Sequence, residues 1–113
     1  MTIYAQGDIL IEKVAYAKAG AAIGVDPDGA VVLARGEVTN HRHAFYGGGV
    51  TMFRDDALAR DMPAELYIGH IKVGDGGAEL KHEEHATITL PPGNYRIRRQ
   101  REWTAENVRI VAD

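Results

Sequence analysis

The chain has 113 residues, of which 45% are hydrophobic and 26% charged, and its formal net charge is −3. These totals fit one globular domain over residues 1–113 and argue against a disordered chain or one with a basic field for nucleic acids or anionic membranes. The absence of cysteine excludes disulfides and Cys-type zinc sites, and it is typical of the reducing cytoplasm, where we expect the protein. The N-terminus does not resemble a secretory signal, and no apolar stretch reaches membrane-spanning length.

Short strands separated by turns dominate the predicted secondary structure. Turn-forming Gly, Pro, Asp and Asn residues recur at 6–8, 26–29, 46–49, 74–77 and 91–94. Alternating or β-branched runs between them predict strands at 8–14, 30–38, 50–55, 65–73, 86–90, 94–103 and 107–112. Only 15–22 and 55–62 have a helical pattern. We therefore predict an all-β, single-domain antiparallel barrel or sandwich with at most one or two short helices.

The motif HRH places His41 and His43 two positions apart. Side chains at i and i+2 of a strand leave the same face, so both imidazoles can converge on one point if 39–45 is extended. The pattern predicts half of a metal site.

The motif HEEH places His82 and His85 three positions apart. They would share a face on one helical turn. They would lie opposite each other at the base of a hairpin whose arms are 78–82 and 85–90. The surrounding strands favour the hairpin.

Together the two motifs predict one site for a divalent transition metal, with His41, His43, His82 and His85 as ligands. Glu83 or Glu84 would add an oxygen ligand or act as a general base. Zinc, nickel, iron and manganese all accept nitrogen and oxygen ligands of this kind, so the residues do not choose among them. The alternative is a hydrogen-bonding cluster or unrelated surface histidines. His70, which lies in an apolar run, is predicted to be structural.

One predicted strand is locally basic and contains Arg96, Arg98, Arg99 and Arg101. Alternation puts Arg99 and Arg101 on the face of Tyr95, which we expect to be buried, and leaves Arg96 and Arg98 exposed. Arginines beside aromatic rings can bind phosphate or stack on bases. Pairing with the chain's 16 acidic residues is the favoured alternative. Binding of RNA or nucleotides is therefore a weaker prediction.

Part of the chain resembles the cupin pattern, on Gly36, His41, His43 and the turn Pro91-Pro92-Gly93. In cupins a Gly precedes an HxH strand, a Glu follows, and a later PxG turn leads to a third His. The resemblance implies a metal-binding barrel. This chain departs from the pattern: the spacing after Gly36 is one residue short, Gly47 and Gly48 occupy the Glu positions, and Arg96 occupies the last His position.

A second resemblance covers much of the chain. The order GEVTNHRH, then HEEHATITLPPGNY, is similar to a group of small uncharacterised bacterial proteins that share both motifs. It implies that the two histidine stretches form one unit, and it transfers no chemistry.

Two hypotheses for function follow. The first is a small metal-binding protein that supports metal-assisted hydrolysis or small-molecule binding if a coordination position is open, and is structural if four imidazoles close the shell. The second is a non-enzymatic assembly or adaptor module that forms homo-oligomers without a metal. The chain contains no serine, which excludes serine-based catalytic triads.

Overall fold

The computed structural model describes the backbone of residues 2–36, 39–103 and 108–110, and the side chains of 2–36, 39–57 and 59–100. The strands are β1 (Ile3–Gln6), β2 (Ile9–Val14), β3 (Val31–Arg35), β4 (Arg42–Phe45), β5 (Val50–Phe53), β6 (Tyr67–Val73), β7 (Ala78–Lys81), β8 (Ile88–Leu90), β9 (Gly93–Arg99), β10 (Arg101–Trp103) and β11 (Val108–Ile110). A 3-10 helix, Asp56–Ala59, is the only helix within these ranges. None of the described residues forms a helix long and apolar enough to cross a membrane.

The described strands form two main antiparallel sheets. The first, sheet A, has the order β1-β2-β9-β6-β5, and the second, sheet B, has the order β3-β4-β7-β8. Strands β10 and β11 pair separately. The all-β prediction is confirmed and the arrangement is sandwich-like. The described sheets are open at their edge strands, so closure into a barrel is not shown.

The core lies between the two sheets and follows the alternation of their strands. Ile11 and Ile97 of sheet A and Leu80 of sheet B have no exposed surface and belong to one cluster of buried side chains. Burial of each such side chain stabilises the fold by about 1.5–3 kcal/mol. The opposite face of sheet A is also partly covered, since Phe53 and His70 are buried there.

The connection between β5 and β6 contributes to this second buried layer. Within it, Asp61 accepts a hydrogen bond from Arg96 Nη1 at 2.7 Å. The backbone N–H of Asp55 donates to Tyr67 Oη at 2.8 Å, which fixes the start of the connection to β6.

Most predicted strands are present, but several details of the prediction are wrong. Residues 15–22 form no helix; the segment is irregular, Ala17 is buried, and the Lys18 backbone N–H donates to Asp55 Oδ2 at 3.0 Å. A helix in so short a segment would be stable only if one of its faces packed against the rest of the protein, because nucleation of a helix is costly. The 3-10 helix is the one confirmed part of the second helical prediction.

Two strand boundaries differ from the prediction for identifiable reasons. The sequence pattern did not indicate β1. The predicted strand 94–103 is interrupted at Gln100, whose backbone N–H binds Asp8 O and whose side chain binds Gly7 O, both at 2.9 Å. The backbone bond continues the β2–β9 register by one position beyond the pair Ile9–Arg99, and after Gln100 the chain pairs with β11 instead of with β2. Positions 37 and 38 of the predicted strand 30–38 lie outside the described residues.

Candidate metal centre

The two histidine motifs meet because β4 and β7 are neighbours in sheet B. Their antiparallel register pairs Ala44 with Lys81 and Phe45 with Leu80. Continued by one position, the same register places His43 beside His82. The HEEH motif lies in the connection between β7 and β8, so the predicted hairpin is confirmed, although its loop is longer than a tight turn.

All four predicted histidine ligands belong to one cluster. The centroids of the His43 and His82 rings are 4.3 Å apart, those of His82 and His85 4.6 Å, those of His41 and His82 5.5 Å, and those of His43 and His85 6.0 Å. His82 is central because it contacts the other three rings. The structure therefore brings together two motifs that are far apart in the chain.

Within this cluster, His41, His82 and Glu83 each offer one ligand atom, and the three atoms lie within 4.8 Å of one another. His41 and His82 are partly exposed and Glu83 is exposed. Two imidazole nitrogens and one carboxylate oxygen thus converge at the surface of the cluster, where solvent can reach them.

The two glutamates of HEEH have different partners. Glu83 Oε1 accepts a hydrogen bond from the Arg42 backbone N–H at 2.9 Å, and this bond lowers the pKa of Glu83 below its ordinary value. The carboxylate is therefore ionised at neutral pH. Glu84 Oε1 lies 3.3 Å from His41 Nδ1, and the Glu84 backbone N–H donates to His82 Nδ1 at 3.0 Å. Both glutamates thus hold parts of the histidine cluster.

His43 lies at the buried side of the cluster, with a side chain that is 1% exposed. Its Nδ1 is 2.8 Å from Gln6 Oε1. The Gln6 side-chain amide donates to Leu80 O at 3.0 Å and to Ala86 O at 2.9 Å. The ring is thus fixed from beneath by a residue of sheet A.

Asp8 approaches the other ring nitrogen of His43 and is itself buried. Its Oδ1 is 3.9 Å from His43 Nε2, and its Oδ2 accepts a hydrogen bond from Arg99 Nη1 at 2.9 Å. Gln6 and Asp8 were missed as site residues because the QGD stretch indicated only a turn. That turn, with Gly7 at φ 58°, joins β1 to β2, and both side chains beside it are buried. A polar pair flanking such a turn is the only signal the sequence gives.

The predicted exposure of Arg96 and Arg98 is wrong. Both side chains are partly buried and bind Glu12, with Arg98 Nε donating to Glu12 Oε1 at 2.6 Å. Although burial disfavours its charge, hydrogen bonds to Glu12 and Asp61 raise the pKa of Arg96. The strand alternation itself is as predicted, since Tyr95 is buried on the opposite face.

Arg99 also binds a carboxylate within the chain, that of Asp8. The side chain of Arg101 lies outside the described residues. The favoured alternative was that the arginines pair with acidic residues of the chain, and the first three arginines do so. Binding of RNA or nucleotides by this strand stays a prediction.

His70 lies outside the metal-ligand group and is fully buried on the other face of sheet A. Tyr67 Oη accepts from the Asp55 backbone N–H and is also hydrogen-bonded to His70 Nδ1, at 2.6 Å. Burial lowers the pKa of His70 below its ordinary value, against a smaller opposing effect of Asp55. A neutral, buried imidazole bonded to tyrosine agrees with the predicted structural role.

A family model described as Domain of unknown function (DUF8820) matches residues 5–100. The chain belongs to this family. The DUF8820 match includes both histidine motifs, Gln6, Asp8 and Arg99, and ends before β10. No curated protein and no solved structure matches the chain. The predicted resemblance to a small family of unknown function is supported at this level, while the cupin resemblance stays a prediction.

Proposed function

We propose that this chain binds one divalent transition metal ion through His41, His82 and Glu83, leaving coordination positions for water or a small ligand. The convergence of the three ligand atoms within 4.8 Å carries the proposal. Metal–nitrogen and metal–oxygen bonds of about 2.0–2.2 Å allow two ligands of one ion to lie up to about 4 Å apart. Side-chain rotations that shorten these separations would close the set around an ion.

The ligand set supports an open site rather than a closed structural one. Three protein ligands with a position left for water are typical of catalytic metal sites, whereas structural zinc sites use four. Two imidazoles and one carboxylate are used by zinc hydrolases and by non-haem iron proteins. Nickel and manganese also accept nitrogen and oxygen ligands, so all four predicted metals stay in the proposal.

His43 and His85 surround the ion rather than coordinate it in this proposal. His43 is buried and bonded to Gln6, and its ring packs against His82. His85 contacts His82 from another side. These contacts support the orientation of the central ligand. The proposal therefore differs from the four-imidazole set predicted from sequence, because Glu83 replaces two of those histidines.

The proposed activity is metal-assisted hydrolysis of a small molecule. A depression of about 220 Å³ is lined by Tyr46, Lys81, His82 and Glu83, and so adjoins two of the three ligands. A metal ion there would lower the pKa of a bound water. Glu84 is exposed and beside His41, and in this proposal it is the general base that accepts the proton.

The proposal is tested by elemental analysis of protein that is purified without a histidine tag and then titrated with each of the four metals. We expect one ion per chain in the wild type and its loss in His41→Ala and Glu83→Gln. Glu79→Gln is the matched control, because Glu79 is an exposed carboxylate of β7 outside the ligand group. Stoichiometric metal retained by both ligand variants, or no binding of any of the metals, would reject the proposal.

A further inference from the structure

Gln6 connects the two sheets at the histidine cluster. It ends β1 of sheet A and is 3% exposed, and its side-chain NH₂ group donates to the backbone carbonyls of Leu80 in β7 and of Ala86 in the loop before β8. These two carbonyls stand on either side of the HEEH motif. One side chain therefore holds both ends of the loop that carries His82.

The Gln6 side chain also determines which ring nitrogen of His43 carries the hydrogen when the imidazole is neutral. The carbonyl oxygens of Leu80 and Ala86 can only accept, so the NH₂ group of Gln6 must face them. Its oxygen then faces His43 Nδ1, which must donate, at 2.8 Å. The neutral ring is thereby held in its Nδ1–H tautomer, with the lone pair on Nε2. Imidazoles that ligate metals are commonly fixed through such a bond, and here the fixed ring is the one that packs against the proposed ligand His82.

We propose that Gln6 is the positioning residue of the metal centre: it holds the HEEH loop against β4 and fixes the tautomer of His43. The effect reaches the ligands because the rings of His43 and His82 are 4.3 Å apart. The inference rests on the proposed function, since it gives Gln6 a role in that metal centre. The tautomer of His43 can nevertheless be measured in metal-free protein.

Two substitutions separate the two ends of the Gln6 side chain. In Gln6→Glu a carboxylate oxygen can still accept from His43, while the donors to Leu80 and Ala86 are lost. In Gln6→Met both ends are lost at similar side-chain length. Gln100→Met is the matched control, because Gln100 is a second glutamine whose side chain donates to a backbone carbonyl, that of Gly7.

The test combines long-range nitrogen–proton NMR of the imidazoles in metal-free protein, at about pH 8 where an ordinary imidazole is neutral, with zinc titration. We expect the Nδ1–H tautomer of His43 in the wild type, in Gln6→Glu and in Gln100→Met, and its loss in Gln6→Met. Zinc affinity should fall about 10- to 100-fold in both Gln6 variants, as for other changes to residues that orient metal ligands, and stay unchanged in Gln100→Met.

The Nε2–H tautomer of His43 in the wild type would overturn the inference, and this measurement needs no variant to fold. So would a folded Gln6→Met that keeps the wild-type tautomer and zinc affinity. If the wild type binds no metal but the tautomer depends on Gln6 as expected, the positioning of His43 is supported and the metal proposal fails. The two proposals can therefore fail separately.

Discussion

The two buried histidines of this protein, His43 and His70, lie in regions that differ in what surrounds them. His70 sits in a row of cross-strand neighbours on the covered face of sheet A, where Tyr67 satisfies Nδ1 and Glu12 neutralises the nearby arginines. His43 sits under a cluster of three further imidazoles that opens to solvent. A buried histidine alone does not indicate a site; convergence of partly exposed ligand atoms beside it does.

The largest expected effect is on metal binding by the solvent-exposed histidine cluster around His82. His82→Ala removes the ring that contacts all three other histidines and supplies one of three ligands. We expect metal affinity to fall further than the loss of about 10- to 100-fold that is typical when a residue orienting a ligand is changed. His85→Ala, measured by the same zinc titration, should have a smaller effect because His85 is outside the ligand set. Equal losses in the two variants would contradict the proposed ligands.

The next largest effect is on stability in the buried region around His70, and it should leave the histidine cluster unchanged. Tyr67→Phe removes the hydrogen-bond partner of the buried Nδ1 of His70 and the acceptor of the Asp55 N–H. We expect the free energy of unfolding to fall by about 1–3 kcal/mol, the usual cost of an unsatisfied buried group. Urea denaturation measures it. Zinc affinity should not change, and a loss of metal binding in folded Tyr67→Phe would show that the regions are coupled.

The pH dependence of stability sharpens the comparison further. The folded-state pKa of His70 is lowered, so between that value and the ordinary imidazole pKa the unfolded chain binds more protons than the native one. This contribution to stability is complete above about pH 6.5 and is lost as the pH falls below it. Denaturation at several pH values should show a steeper loss for the wild type than for His70→Phe. Parallel curves would contradict a neutral native His70.

The smallest expected effect concerns the exposed pair at the edge of the cluster. The Glu84 side chain is 68% exposed, so Glu84→Gln should change stability by about 0.5 kcal/mol or less. Metal content should stay at the wild-type level, while any hydrolytic turnover is lost because the proposed base is removed. Loss of the metal in this variant would instead assign Glu84 as a ligand.

Local pattern in the sequence predicted much of the fold and half of the site. Alternation of apolar residues determines which face of a strand is buried, so the strands and the common side of His41 and His43 could be predicted. The hairpin around HEEH was also predicted, from the flanking strands. The contact between the two motifs depends on the pairing of β4 with β7, and strand order cannot be read from spacing along the chain.

The remaining misses have the same origin. Gln6 and Asp8 act through partners more than thirty residues away in the chain, so a local pattern shows only their turn. Arg96 and Arg98 alternate as exposed residues do, but a carboxylate on the neighbouring strand and a connection above the sheet bury them. Assembly into homo-oligomers stays a prediction, which light scattering at several concentrations can test.

The ladder between β4 and β7 has two residue pairs, and the juxtaposition of the motifs depends on it. A shift of this register by one residue would turn His43 of β4 to the opposite face of sheet B. The glycine-rich turns at 46–49 and 74–77 lie between the motifs in sequence but outside this ladder. A single insertion between 43 and 45, by contrast, falls within the ladder and would separate the imidazoles.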